Sequence, residues 1–358
     1  MKRIILRLLI TATIGIVGFL LLWPVPIDPV AWDPPPAPEL TGVYAQNNEL
    51  AKTVRLAVNH QAPEDVAFDK QDRIYTGADD GYIYRLQPDG TRPEAFTRTY
   101  GRPLGLAFDQ NGNLIVADAD RGLMSVAPDG NITLLSNQSD GVPFRCTNDL
   151  DIAADGTIYF TDASYKFPLK ELKADLFEHR PNGRLLAFDP KTGQTRTVLR
   201  DLHFANGVAI SPDQSFVLVN ETGTYAIKRV WLKGEKQGQA ETFIDNLPGF
   251  PDGIMSNGRD MFWLAIVNRR DEKLDSLLRR PFLRKVVMRL PNFLQPNIKR
   301  YGFVLGLDMN GKVVRNLQEP SPEGFAQIAN VVEHKGNLYF GSIGESAIGR
   351  FPLGPPGQ

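Results

Sequence analysis

The sequence predicts an all-β protein, a six-bladed β-propeller, carried behind an N-terminal transmembrane helix. Two observations point there. A unit of apolar strand, Asp/Asn-x-Gly turn and second apolar strand recurs six times between residues 64 and 342. Such repetition marks radial all-β architectures. Long amphipathic helical runs, which an α/β fold would need, are nearly absent from the same region.

The first element is the apolar stretch of residues 8–27, which carries no charge and follows Lys2, Arg3 and Arg7. About 20 such residues span a bilayer, and the basic flank keeps the N-terminus cytoplasmic. The rival reading is a cleaved signal peptide. After Leu22, however, comes Trp23-Pro24-Val25-Pro26 rather than a small-x-small cleavage pattern. Residues 1–23 are thus expected as a retained single-pass anchor. The rest of the chain lies on the non-cytoplasmic side, the periplasm in a bacterium. Residues 24–49 are Pro-rich and read as a stiff, extended tether.

The propeller is assigned to residues 50–358. Its repeats start with EDVAFDKQDRIYTG (64–77) and continue at 104–118, 148–162, 206–220, 252–265 and 329–342. Each is followed by a further strand and a turn, as in Pro88-Asp89-Gly90 and Pro128-Asp129-Gly130. Call the strands of a blade A to D from the axis outward. The sixth blade runs out after its C strand near Phe351. Residues 50–58 are therefore expected to supply its D strand, closing the ring and removing an open edge.

Two blades are longer than the rest. The excess falls between strands B and C, at 163–182 in blade three and 266–300 in blade five. B–C loops lie on the face where A strands begin, so both insertions should cover that mouth. The second holds ten Arg and Lys against three acids, a net of +7, with Pro281 and Pro291 dividing apolar positions at helical spacing. Two short helices follow, serving as a lid whose apolar stripe packs on the rim or one that also rests on an anionic membrane surface.

Forty Lys and Arg balance 41 Asp and Glu, a net charge of −1, so nothing calls for nucleic acid as a partner. One cysteine, Cys146, excludes an internal disulfide framework and a Cys-rich zinc site, and four histidines disfavour a His-cluster metal. Cys146 reads as a small buried residue rather than a nucleophile.

The first A-strand position of the six repeats holds Glu64, Leu104, Asn148, Asn206, Asp252 and Ala329. Four of the six are oxygen donors from separate blades aimed at one axis. Hard cations such as Ca²⁺ take carboxylate and carbonyl oxygens, and the absence of Cys and His disfavours zinc and copper. Asn-Gly and Asp-Gly are also ordinary strand-entry turns. Recurrence at one register favours a shared metal site at Glu64, Asn148, Asn206 and Asp252.

The motifs Pro63-Glu64-Asp65-Val66, Thr147-Asn148-Asp149, Ala205-Asn206-Gly207-Val208 and Pro251-Asp252-Gly253 resemble those of the gluconolactonase and strictosidine-synthase-like propellers. IAADGTIYFTDASYKF followed by RPNGRLLAFDP is most similar to the membrane-anchored strictosidine-synthase-like branch. The resemblance implies one axial Ca²⁺ held by Glu64, Asn148, Asn206 and Asp252, and hydrolysis of small-molecule lactones or aryl esters. It implies Asp252 as the base toward water. Strictosidine synthases carry a condensation glutamate at the sixth-blade position, where this chain has Ala329, which argues against that chemistry. His203, three residues before Asn206, is a second candidate base. Arg145, three before Asn148, could hold a substrate oxygen, and His60 and His179 could line the mouth. The alternative is a ligand- or partner-binding propeller with a purely structural calcium.

Overall fold

In the computed structural model, described over residues 1–354, six four-stranded antiparallel sheets form the propeller. Residues 355–358 of the expected propeller range lie outside the described residues. Blade two shows the plan, with strands Pro103–Phe108, Leu114–Asp118, Gly122–Val126 and Ile132–Ser136 paired in chain order. The first two are joined by the turn Asp109-Gln110-Asn111-Gly112. In blade two the Asp109 carboxylate accepts the N–H groups of Asn111 and Asn113, fixing the turn without help from outside.

The sixth sheet closes the ring. Val54–Ala57 pairs with Ala347–Pro352, Val54 facing Arg350 and Ala57 facing Ala347. The closing strand is shorter than the expected 50–58, because Glu49–Lys52 turns as a short 3₁₀ helix.

The core lies between blades. Leu218 and Ile227 of blade four pack with Phe262, Leu264, Phe303 and Leu305 of blade five, all fully buried. Each such side chain is worth about 1.5–3 kcal/mol of transfer free energy.

Lys2–Leu22 forms one helix (α1), long and apolar enough to cross a membrane. The blade-three insertion contains α2 (Leu172–Glu178). The blade-five insertion contains α3 (Glu272–Leu278) and α4 (Pro281–Met288), with Pro281 at the first position of α4, where a missing N–H costs nothing. Strand B of blade five continues to Arg269, so the helical part starts later than residue 266.

The Pro-rich segment is extended, as its composition predicts, yet it does not hang free. It lies across the insertions on the mouth face. Val30 N–H donates to Glu178 O at 3.0 Å and Trp32 N–H to Leu278 O at 3.1 Å. Ile27 is buried among Phe167, Ala174 and Phe177, and Trp32 stacks on His179 with ring centres 4.5 Å apart. Arg284 is fully buried and donates to Phe177 O at 2.7 Å and to Val30 O. One guanidinium thus ties both insertions to this segment.

Candidate metal centre and substrate cavity

The A strands carry a shared irregularity at the axis. Register shifts lie between Thr147 and Leu150, Ala205 and Val208, Pro251 and Ile254, and Ile328 and Val331. A bulge releases residues from the ladder and re-aims their side chains. In these blades the released residues include Asn148, Asn206, Asp252 and Ala329. Blade one reaches the same arrangement differently, since its A strand starts only at Ala67 and Glu64 precedes it.

Glu64, Asn148, Asn206 and Asp252 together line a central space of about 10 Å³, room for roughly one water-sized sphere. All four also line the floor of a cavity of about 960 Å³ that rises toward the insertions. The cavity walls are largely apolar, with Leu172 and Leu176 from the blade-three insertion and Leu277 and Leu278 from α3.

Two carboxylates and two carboxamides form an oxygen-donor set suited to a hard cation. Burial pushes the Asp252 carboxyl well above its usual range, and repulsion from Glu64 adds to the shift. Burial raises Glu64 as well, while the Arg102 guanidinium pulls it back. A cation between these buried acids would relieve their repulsion. No group of three or more His, Cys, Asp or Glu suited to a metal occurs among the described residues. The fit therefore depends on the amide oxygens as much as on the acids.

The residues beside the slot hold the blades in phase. Asp65 accepts Val66 N–H and, from blade two, Leu106 N–H at 2.7 Å, and it receives the Asn330 amide of blade six at 2.7 Å. Asp149 accepts Leu150 N–H and, from blade four, Val208 N–H at 3.0 Å. The other three blades have glycine here. A Cβ on Gly105 would stand 2.7 Å from Asp149 Cα, and one on Gly207 2.4 Å from Asp252 O. Carboxylates bridge outward and glycines admit the neighbour.

Arg145 and His203 are placed away from this centre. Arg145 donates its backbone N–H to Asp162 Oδ1 at 3.1 Å, and its side chain is exposed. His203 donates its backbone N–H to Glu221 Oε1 at 3.0 Å, with its ring 4.8 Å from that of His179. Neither residue lines the central space or the large cavity. In both, a carboxylate ending strand B grips the backbone just before strand A; the Arg145 side chain then turns to solvent and the His203 ring packs on that of His179. Arg102 has the same backbone anchor, its N–H donating to Asp118 Oδ1 at 3.1 Å. Its side chain reaches the axial acids, at 2.8 Å from Glu64 Oε2 and 2.8 Å from Ala62 O. Arg102 lines the large cavity and takes the place expected for Arg145. The only sequence signal for it is its position two residues before the slot residue Leu104.

His60 pairs with Asp80 at 2.9 Å and stacks on Tyr84, outside both spaces. His179 does line the large cavity. Burial pushes its imidazole down to about 3, helped by the nearby His203 and Arg284. Cys146 is buried and unpaired, and burial raises its thiol well above the usual value, so it is no nucleophile.

Similar proteins share this plan. A strictosidine synthase family model matches residues 148–235, and a strictosidine synthase-like N-terminal model matches residues 42–86. The chain is 36% identical to strictosidine synthase-like protein 7 of Arabidopsis thaliana over 298 residues, covering 81% of this chain and 79% of that protein. It is 33% identical to the adipocyte plasma membrane-associated protein of Rattus norvegicus, covering 97% and 98%. Among solved structures, a gluconolactonase from Xanthomonas campestris superposes with a TM-score of 0.63 at 18% identity, covering 84% of this chain and 89% of that one. A calcium-binding regucalcin from Agrobacterium tumefaciens gives 0.61 at 15% identity, covering 85% and 94%. At such identities the structural likeness establishes the fold.

Proposed function

The chain belongs to the strictosidine synthase-like family, and from that premise we propose that it is a calcium-dependent hydrolase of lactones or aryl esters. We propose further that α1 anchors it in a membrane, with the propeller on the non-cytoplasmic side. The observation that carries the catalytic reading is the meeting of Glu64, Asn148, Asn206 and Asp252 at the floor of a roomy apolar cavity. Gluconolactonase and a calcium-binding regucalcin among the structures of like fold support it.

Those four residues would hold the ion. A bound calcium supplies positive charge that polarises an ester carbonyl. Arg102, two of whose donors already face Ala62 O and Glu64, is placed to orient an oxygen of the substrate. Asp252, at the cavity floor, takes the proton of the attacking water. The leucine-lined walls hold the apolar part of the substrate and exclude bulk water. Ala329 lines the central space in the sixth blade and offers no acid–base group for a condensation.

The test is hydrolysis of phenyl acetate and simple lactones by the full chain in detergent, with and without chelator, beside calcium binding by calorimetry. Hydrolysis should be lost on chelation and restored by calcium. Asp252→Asn should lower kcat by about 10²-fold or more and weaken calcium binding. Calcium binding without hydrolysis across a broad ester and lactone panel would establish the binding-propeller alternative instead.

A further inference from the structure

The large cavity reaches the exposed end of the blade-five insertion. Leu294 and Ile298 line it, yet they are 58% and 40% exposed. Phe293 beside them is 78% exposed, and Phe282 on α4 is 55% exposed. Large apolar side chains grouped on a surface mark contact with another phase or partner.

The position of α1 identifies that phase. Arg289, just beyond α4, donates to Trp23 O at 2.6 Å and to Leu20 O at 2.8 Å. Those are carbonyls at the C-terminal end of α1, which a cation caps favourably. A 21-residue helix is about 31 Å long, close to the thickness of a bilayer's hydrocarbon core. Its last turn and Trp23 then fall at headgroup level, and Arg289 holds α4 at that same level. Charge agrees. The insertion's net of +7 loses three to Asp28, Asp33 and Glu345, which pair with Lys285, Arg279 and Arg300, leaving +4, or +3 with the fully buried Arg284 set aside, an excess that suits anionic headgroups.

We propose that residues 282–298 lie in the headgroup region of the bilayer that α1 spans, so that the cavity opens onto lipid and admits amphiphiles with an apolar tail from the membrane. This rests on the anchor reading of α1 and is independent of the hydrolytic reading.

Cys146 is buried, so an introduced cysteine is the one a bulky dye labels. The full chain is placed in vesicles of phosphatidylcholine and phosphatidylglycerol with a dye at Ile14→Cys, Phe293→Cys or Asn310→Cys. Asn310 sits in the C–D turn of blade five, on the opposite face. Quenching is read with mid-chain nitroxide lipid, headgroup nitroxide lipid and aqueous iodide. The mid-chain label should quench Ile14→Cys. The headgroup label should quench Phe293→Cys severalfold more than Asn310→Cys, and iodide should do the reverse. A Phe293 probe that behaves like Asn310 while Ile14 is quenched in mid-chain overturns the proposal. So does a Phe293 probe shielded from both quenchers, which would mark a protein partner or second copy there. Loss of mid-chain quenching at Ile14 removes the anchor and this proposal together.

Discussion

The Arg102 guanidinium stands 2.8 Å from the Glu64 carboxylate, joining blade two to blade one at the axis, with side chains only 11% and 14% exposed. It is a resident cation placed next to the seat expected for a metal ion. Removing one member of such a buried pair strands the other charge, at about 3 kcal/mol. Arg102→Gln should cost about that much in calcium-free protein. With saturating calcium the loss should shrink, because the ion then compensates Glu64. Denaturant midpoints with and without calcium measure it, and an equal loss in both conditions would count against an ion at Glu64.

His179 gives the mouth face a pH dependence of known sign. Its folded-state value is about 3 against 6.5 for the free side chain, chiefly through burial. Above pH 6.5 both states are neutral and nothing is lost. Below it the unfolded chain takes a proton that the folded chain refuses, so stability falls until about pH 3. At pH 5 the loss is about 2 kcal/mol. His179→Asn keeps a residue tolerant of the left-handed backbone found here, φ 53°. Its stability should fall less than wild type's between pH 7.5 and pH 5 by about that amount. Parallel curves for the two proteins would refute the assignment.

Arg284 should control how firmly residues 24–38 close over the insertions. Its donors hold Phe177 O and Val30 O, and charged hydrogen bonds of this kind are worth about 1.5–3 kcal/mol each. Arg284→Met should speed amide exchange at Val30 and Trp32 by about tenfold or more. The A-strand amides around the axis should keep their protection. Hydrogen exchange resolved by peptide reads both, and uniform acceleration across the propeller would show global loosening instead.

Gly105→Ala tests the fit between blades two and three. The added methyl meets Asp149 Cα at 2.7 Å, a backbone atom that cannot rotate away. Overpacking of this kind costs about 1–3 kcal/mol. Thermal unfolding should show it, and an unchanged midpoint would mean that the blades can slide apart freely.

The blades, the closing strand and the four axial side chains were all legible in the repeats, because turn chemistry and strand alternation are local and the slot recurs at one register. Both insertions were located by subtraction alone. Arg102 was hidden for a tertiary reason. Arg102, Arg145 and His203 share one backbone anchor, and which of the three side chains reaches the axial acids depends on the neighbouring blade. The docking of residues 24–38 was equally obscure. Its signal is two isolated residues, Ile27 and Trp32, in a segment whose prolines speak only of extension. The choice of Asp/Asn or Gly at the position after the slot is present in the repeats, but its meaning appears only once adjacent blades are seen in contact.

The clasp between Val54 and Arg350 has a consequence for biogenesis. The two halves of that seam are separated by nearly the whole ring, so an emerging polypeptide exposes an unmated strand edge until residue 350 has been made. Sticky edges of this sort seed misassembly during synthesis. Folding of the chain should therefore be most vulnerable late, when five sheets are complete and Val54–Ala57, made first, still waits for the three strands of the last sheet.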